Sequence, residues 1–369
     1  MIVESLELKN YRNYSDLEIS FDDGTNILYG DNAQGKTNIL ESLYLCSTTK
    51  SHRGAKDREI IRFNEEESHI KLLIKKKDVP YRIDIHLKKT KSKGIAVNGI
   101  PIKKASELFG IINVIFFSPE DLSIIKNGPA ERRKFIDIEL CQIDKFYLHN
   151  LVNYNKIVNQ RNRLLKDLSL KFDRSLYETI DIWDMQLADY GNKIINRREE
   201  FIKQINEIII EIHRKLSGGK ENLSIQYEPN VDKNMLKSEL EKNREKDIRL
   251  KTTSIGPHRD DLGFYLKDVD IRRYGSQGQQ RTAALSLKLS EIELVKKVIN
   301  DTPVLLLDDV MSELDSNRQN HLIDSLNDIQ TIVTCTGLDE FIEHRINVNK
   351  IYKIVNGTAN LYELGKEQE

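Results

Sequence analysis

The chain has 369 residues, 39% hydrophobic and 31% charged, enough for one large or two intimate domains with real cores. No run approaches the roughly 18–20 apolar residues of a membrane span, and Cys46, Cys141 and Cys335 are too scattered for a disulfide framework or a CxxC metal site. A formal net charge of −1 does not advertise a nucleic-acid partner, but it hides distribution: between residues 71 and 104 a long series of lysines meets only Asp78 and Asp84, while residues 65–67 and the last seven are rich in acid.

The opening MIVESLELKNYRNY alternates like a strand and has no signal-peptide organisation, so a cytoplasmic protein is expected. Residues 2–9 and 17–21 predict strands, and residues 26–29 a short buried strand that stops at Gly30. Helical spacing of Ile39, Leu40, Leu43 and Tyr44 predicts a helix over residues 37–46. Residues 70–74 and 81–87 read as paired strands, Asn98-Gly99 as a hairpin turn, and residues 114–117 as a buried strand closed by Ser118-Pro119. From Pro129 to about residue 217 glycine and proline almost vanish, and apolar residues recur every three or four positions. That predicts long amphipathic helices, broken near residues 168–173 and ended by Gly218-Gly219. Strands follow at 224–227 and 262–266, a helix from Gln279 to about Ile299, and a buried strand at 304–307. A helix near 317–326, a strand at 331–336 and a hairpin at 351–355 and 359–362 close the chain. The fold class is α/β: a head, residues 1–128 and 252–369, split by a helical lobe at 129–251 whose helices reach roughly 60 Å or less at 1.5 Å per residue.

Gly30-Asp31-Asn32-Ala33-Gln34-Gly35-Lys36-Thr37 fits GxxxxGK[ST] after a strand and before a helix. Such a loop converges backbone N–H groups on a β-phosphate; Lys36 bridges β- and γ-phosphates and the Thr37 hydroxyl meets Mg²⁺. The helix N-terminus adds its dipole. ATP is therefore the expected ligand. The apolar run from Pro303 ends in Asp308-Asp309, carboxylates expected at the C-terminal edge of a buried strand. On strand geometry they point to opposite faces, Asp308 toward Mg²⁺ through water and Asp309 toward the attacking water. Ser276, an N-cap candidate, Gly278 and Gln279 open the next helix, and alone would be no more than a capped helix start.

Taken in order, GDNAQGKT, SQGQ and LLLLDDVMSELD resemble the DNA-acting ABC ATPases, the group of the SMC and RecF proteins. The phrases ELKNYRNY, FFSPEDL, ERRKFID and GPHRDDL are similar to those of the RecF family, from one end of the chain to the other. The resemblance implies that Ser276, Gly278 and Gln279 meet the γ-phosphate held by a second copy, so that ATP drives a homodimer, with residues 312–315 crossing the interface. It further implies work on DNA near single-strand gaps, with RecR and RecO, in RecA loading and the SOS response. The chain departs from ABC practice in three places. Asp309 stands where Glu is usual, and one methylene less predicts slow, timer-like hydrolysis. Thr336 stands where a histidine often senses the γ-phosphate, and residues 117–120 hold no Gln for a Q-loop.

For DNA, Lys75, Lys76 and Lys77 with Lys88 and Lys89 flank adjacent predicted strands, so they form either one phosphate-binding surface or an ordinary solvated face. Arg132 and Arg133 are a second candidate pair, while Arg53, Arg58, His258 and Arg259 read equally as functional or structural. Nothing suggests base reading. An ABC transporter subunit fits less well, because of the helical lobe, and an SMC-like clamp needs far longer arms. A nuclease would require a second acidic constellation.

Overall fold

The computed structural model describes residues 1–362 except 172, 325, 327 and 339–347. The chain divides into two compact units, Met1–Asp121 with Lys288–Glu369, and Leu122–Leu287.

The first unit opens with β1 (Ile2–Tyr11), β2 (Tyr14–Ser20) and β3 (Thr25–Tyr29). After the Lys36–Thr48 helix come β4 (Glu67–Lys76), β5 (Val79–Lys88), β6 (Gly94–Val97), β7 (Ile100–Pro101) and β8 (Val114–Phe117). The β4 pattern buries Ile70, Leu72 and Ile74 on one face, and β5 buries Ile83, Ile85 and Leu87 opposite them. Period-two alternation thus fixes the register of this antiparallel pair. Lys77 and Asp78 turn the chain between them at φ 47° and 64°. Asn98 and Gly99, at φ 52° and 79°, make the expected tight turn between β6 and β7, where two left-handed residues match the twist of the strands.

After a short helix at Leu122–Lys126, the second unit holds three longer ones, Pro129–Ile143, Lys145–Leu170 and Arg174–Leu216. Asp144 caps the second by accepting the N–H of Phe146 and Tyr147 at 2.9 Å. Asp173 caps the third through Ser175 at 2.8 Å, which accounts for the predicted break. The third helix has 43 residues, about 65 Å at 1.5 Å per residue, slightly beyond the expected reach. It stops where Gly218 and Gly219 turn left-handed and Gly219 N–H reaches back to Arg214 O at 2.7 Å. Then β9 (Leu223–Glu228), β10 (Asp261–Leu266) and β11 (Val269–Asp270) form a small antiparallel sheet. The pairing of β10 with β9 keeps the segment from 252 to 287, expected with the head, in the helical unit.

The chain returns to the first unit within the Gln277–Ile299 helix and adds β12 (Val304–Asp308), β13 (Thr331–Cys335), β14 (Val348–Val355) and β15 (Thr358–Leu361). One sheet runs β2-β1-β4-β5-β6-β7, antiparallel throughout; the other runs β15-β14-β3-β13-β12-β8 and is parallel except for β15. The residues of β12 and β13 are buried almost without interruption, as strands covered on both faces must be. Ile39, Leu40 and Leu43 of the Lys36–Thr48 helix share one core with residues of both sheets. Among the described residues no helix is long and apolar enough to cross a membrane.

The second unit also buries charge that the sequence reading passed over. Arg161 is fully buried; its Nε donates to Asp184 and its Nη1 to Asp247, both at 2.6 Å. Arg198 donates to Asp137 at 2.7 Å, to Asp260 at 3.0 Å, to Pro257 O at 2.7 Å and to Tyr147 at 2.9 Å. Both arginines sit on the apolar stripes of their helices, Arg161 between Ile157 and Leu164 and Arg198 between Ile195 and Phe201.

Candidate functional site

The phosphate loop leaves β3, which is hydrogen-bonded to β13 and β14, while β12 lies beyond β13. All four run parallel, so Gly30 and Asp308 emerge at the same sheet edge. Gly30 and Gly35 have φ of 147° and 113°, left-handed values that favour glycine. A Cβ on Gly30 would lie 2.4 Å from Ile354 O, and one on Gly35 2.5 Å from Asn13 Nδ2. Ala33 is left-handed too, at φ 64°. Two turns brace the loop: Asn13 Nδ2 donates to Gln34 O at 2.8 Å, and Asn356 N–H to Gln34 Oε1 at 2.7 Å.

Lys36 folds over this loop, its Nζ donating to Gly30 O at 2.6 Å and Asp31 O at 2.8 Å. Burial pulls its pKa below the usual lysine value, against the opposing pull of Asp309, Cys335, Asp308 and Asp31. The Thr37 hydroxyl donates to Asp308 Oδ1 at 2.8 Å, and the Thr334 hydroxyl donates to the same oxygen at 2.7 Å. The Thr37 hydroxyl and the Asp308 carboxylate, hard oxygen donors 2.8 Å apart, suit Mg²⁺, which Thr37 would ligate and Asp308 would hold through water. Asp309 departs from the strand alternation on which its direction was expected to depend. β12 ends at Asp308, and Asp309 is left-handed at φ 53°, a strained setting for a side chain of this kind. Thr334 holds it there, accepting the Asp309 N–H through O at 3.2 Å and Oγ1 at 3.1 Å. Thr336 is exposed just beyond β13.

The sequence reading missed Glu41 on the first helix. Burial pushes its carboxyl up, but Arg12, gripping both oxygens at 2.7 and 2.8 Å, and the Ser51 hydroxyl at 2.5 Å leave it below the usual range. Directly after the segment weighed for a Q-loop the notable group is Asp121. Its Oδ2 accepts the Ser118 N–H at 2.7 Å, and burial, opposed by Lys288, pushes its pKa up to about 6.

In the second unit Ser276 and Gln279 form a reciprocal cap: Ser276 Oγ accepts the Gln279 N–H at 3.2 Å, and Gln279 Oε1 the Ser276 N–H at 2.9 Å. Gln279 Nε2 also donates to Glu221 at 2.7 Å. Ser276 and Gly278 are exposed at this helix start.

The DNA candidates fare differently. β4 and β5 are neighbours, but Lys75, Lys76 and Lys77 lie at the hairpin turn, whereas Lys88 stands opposite Glu67 at the other end. At about 3.4 Å per residue the two groups are roughly 30 Å apart, so they do not make one basic surface. Lys75 pairs with Asp78 at 3.0 Å, Lys88 with Glu67 at 3.7 Å and Lys89 with Glu66 at 3.3 Å. Lys76 Nζ reaches Gly110 O at 2.5 Å, while Lys77 is exposed. Arg132, a candidate phosphate contact, is instead buried and clamps Asp261 through Nε at 2.5 Å and Nη2 at 3.0 Å. Arg133 donates to Asp260 O at 2.7 Å. His258 is structural: burial lowers its pKa to about 4, and the neutral ring bridges Tyr154 OH at 2.7 Å and Thr253 O at 3.0 Å.

The family model of the RecF/RecN/SMC N-terminal domain matches residues 2–360. The DNA replication and repair protein RecF of Lachnospira eligens is 67% identical over 357 residues, which is 97% of this chain and 98% of the relative. A solved structure of the recombination mediator protein RecF with ATPrS in the RecFOR pathway superposes with a TM-score of 0.90 at 34% identity, covering 98% of both chains. An Smc head domain from Pyrococcus furiosus, at 18% identity and a TM-score of 0.57 over 98% of this chain and 96% of that one, shares the fold. The chain belongs to the RecF family of DNA replication and repair proteins.

Proposed function

We propose that the chain is an ATP-dependent DNA-binding protein of replication and recombinational repair, an ATPase whose hydrolysis is a slow switch. The observation that carries this reading is the hydrogen bond from Thr37 to Asp308, which joins the phosphate loop to the acidic end of β12. The loop from Gly30 to Thr37 binds the phosphates of ATP through its backbone N–H groups, and Lys36 turns from the loop carbonyls to the β- and γ-phosphates. Thr37 and Asp308 hold Mg²⁺, which neutralises phosphate charge when bound. Asp309 orients the attacking water with a short carboxylate. Ser276, Gly278 and Gln279 of a second copy complete the site, so ATP binds the homodimer better than the monomer and drives its formation. The dimer grips DNA near single-strand gaps, in the cytoplasm, and works with RecR and RecO toward RecA loading and the SOS response. The name and ATP-bound state of the RecF relatives support this assignment.

The test is ATP turnover with and without duplex DNA over a salt series. The expected result is a rate below about 1 s⁻¹ that DNA raises and salt suppresses, because phosphate contacts release counterions. A rate indifferent to DNA, with no DNA bound at low salt, would contradict the reading.

A further inference from the structure

The β4–β5 hairpin carries a cluster unconnected with the phosphate loop. His69 and His86 are direct cross-strand partners, and Glu67, two residues before His69, lies on the same face. The two imidazoles stack, with centroids 3.8 Å apart and planes 24° from parallel. Glu67 divides its carboxylate between them: Oε2 is 2.9 Å from His86 Nε2 and Oε1 3.8 Å from His69 Nε2. One candidate ligand atom from each residue can be chosen so that all lie within 4.8 Å of one another. A tetrahedral ion with bonds of 2.0–2.2 Å spaces its ligands by roughly 3.3–3.6 Å. The two carboxylate–imidazole distances bracket that value, and the stacked rings would have to turn about their side-chain bonds to aim both Nε2 atoms at one ion. His69 and His86 border a cavity of about 670 Å³ whose rim carries Glu7, Asp16, Glu18 and Asp84 beside Lys9 and Lys71. Lys88 Nζ, 3.7 Å from Glu67, is the cation an ion would displace, and it is partly exposed and able to swing away.

We propose that Glu67, His69 and His86 form a binding site for one divalent ion of the zinc class, ligated by the two Nε2 atoms and the Glu67 carboxylate, with water in the remaining position. Two imidazoles select against Mg²⁺ and Ca²⁺, which prefer all-oxygen shells. Because its ligands come from both strands, the ion cross-links β4 to β5 and stabilises the folded chain.

The experiment uses the full chain, stripped of metal by chelator and free of nucleotide, titrated with Co²⁺ in the presence of excess Mg²⁺. The expected result is a visible d–d spectrum that saturates at one equivalent and is erased by one equivalent of Zn²⁺. His69→Gln and His86→Gln should each weaken binding by about tenfold or more, and Zn²⁺ should raise the melting temperature of the wild type but of neither variant. The proposal is overturned if no spectrum develops, or if both variants bind Co²⁺ as the wild type does. Wild-type melting temperatures for the variants without metal confirm that a lost spectrum is not lost folding.

Discussion

Replacing Lys36 with Met is expected to cut ATP turnover by about 10²–10³-fold, or 3–4 kcal/mol of transition-state stabilisation, the scale of removing one aimed donor from charge that develops in the reaction. The fold should survive, because Met fills nearly the same volume and the ammonium's bonds to Gly30 O and Asp31 O are local to the loop. On the proposed reading, those carbonyls are the contacts that Lys36 exchanges for phosphate oxygens. Phosphate release, with a thermal melt as control, checks this. Wild-type turnover in the variant would mean that hydrolysis occurs elsewhere.

Arg161→Met should cost about 3–5 kcal/mol of stability, the range for breaking a buried ion pair from one side. The guanidinium links Asp184 to Asp247 at 2.6 Å each and reaches Thr253 Oγ1 at 3.1 Å. Asp184 keeps Arg244 at 2.7 Å, but Asp247 is left with only the Ser254 hydroxyl and N–H at 2.6 and 3.1 Å. Urea unfolding followed by helical ellipticity measures the loss. A change below about 1 kcal/mol, the scale of an exposed pair, would show that water solvates these carboxylates.

Periodicity made most of the strands legible before any coordinates. The runs at 70–74 and 81–87 bury alternate residues as read, and the Asn98-Gly99 and Gly218-Gly219 signals mark real turns. The bends at Gly30 and Gly35 were legible because the motif's spacing demands them, and the place of Asp308 because an apolar strand delivers it. Arg161, Arg198 and Arg132 escaped for one reason: their meaning lies in partners distant in sequence. Arg161 and Arg198 occupy core positions of helices, where a charge without a visible partner reads as surface. Arg132 read as a phosphate contact until Asp261, 129 residues away, was seen to hold it. The two lysine clusters looked adjacent because their strands are, yet strand order says nothing of which end each cluster occupies. The left-handed Asp309 was invisible to a reading that extended the strand by one residue.

If two copies complete each other's ATP sites as proposed, turnover in a mixture of two dead variants measures it most directly. Lys36→Met disables the phosphate loop and Ser276→Arg the exposed helix start, so each alone should neither hydrolyse ATP nor sediment as a dimer with it. In a mixed dimer, one site combines the intact loop of the Ser276→Arg copy with the intact Ser276–Gln279 segment of the Lys36→Met copy. An equimolar mixture should therefore recover a substantial fraction of wild-type turnover together with an ATP-dependent dimer peak. A mixture as inactive as its components, or Ser276→Arg alone as active as the wild type, would contradict the shared site.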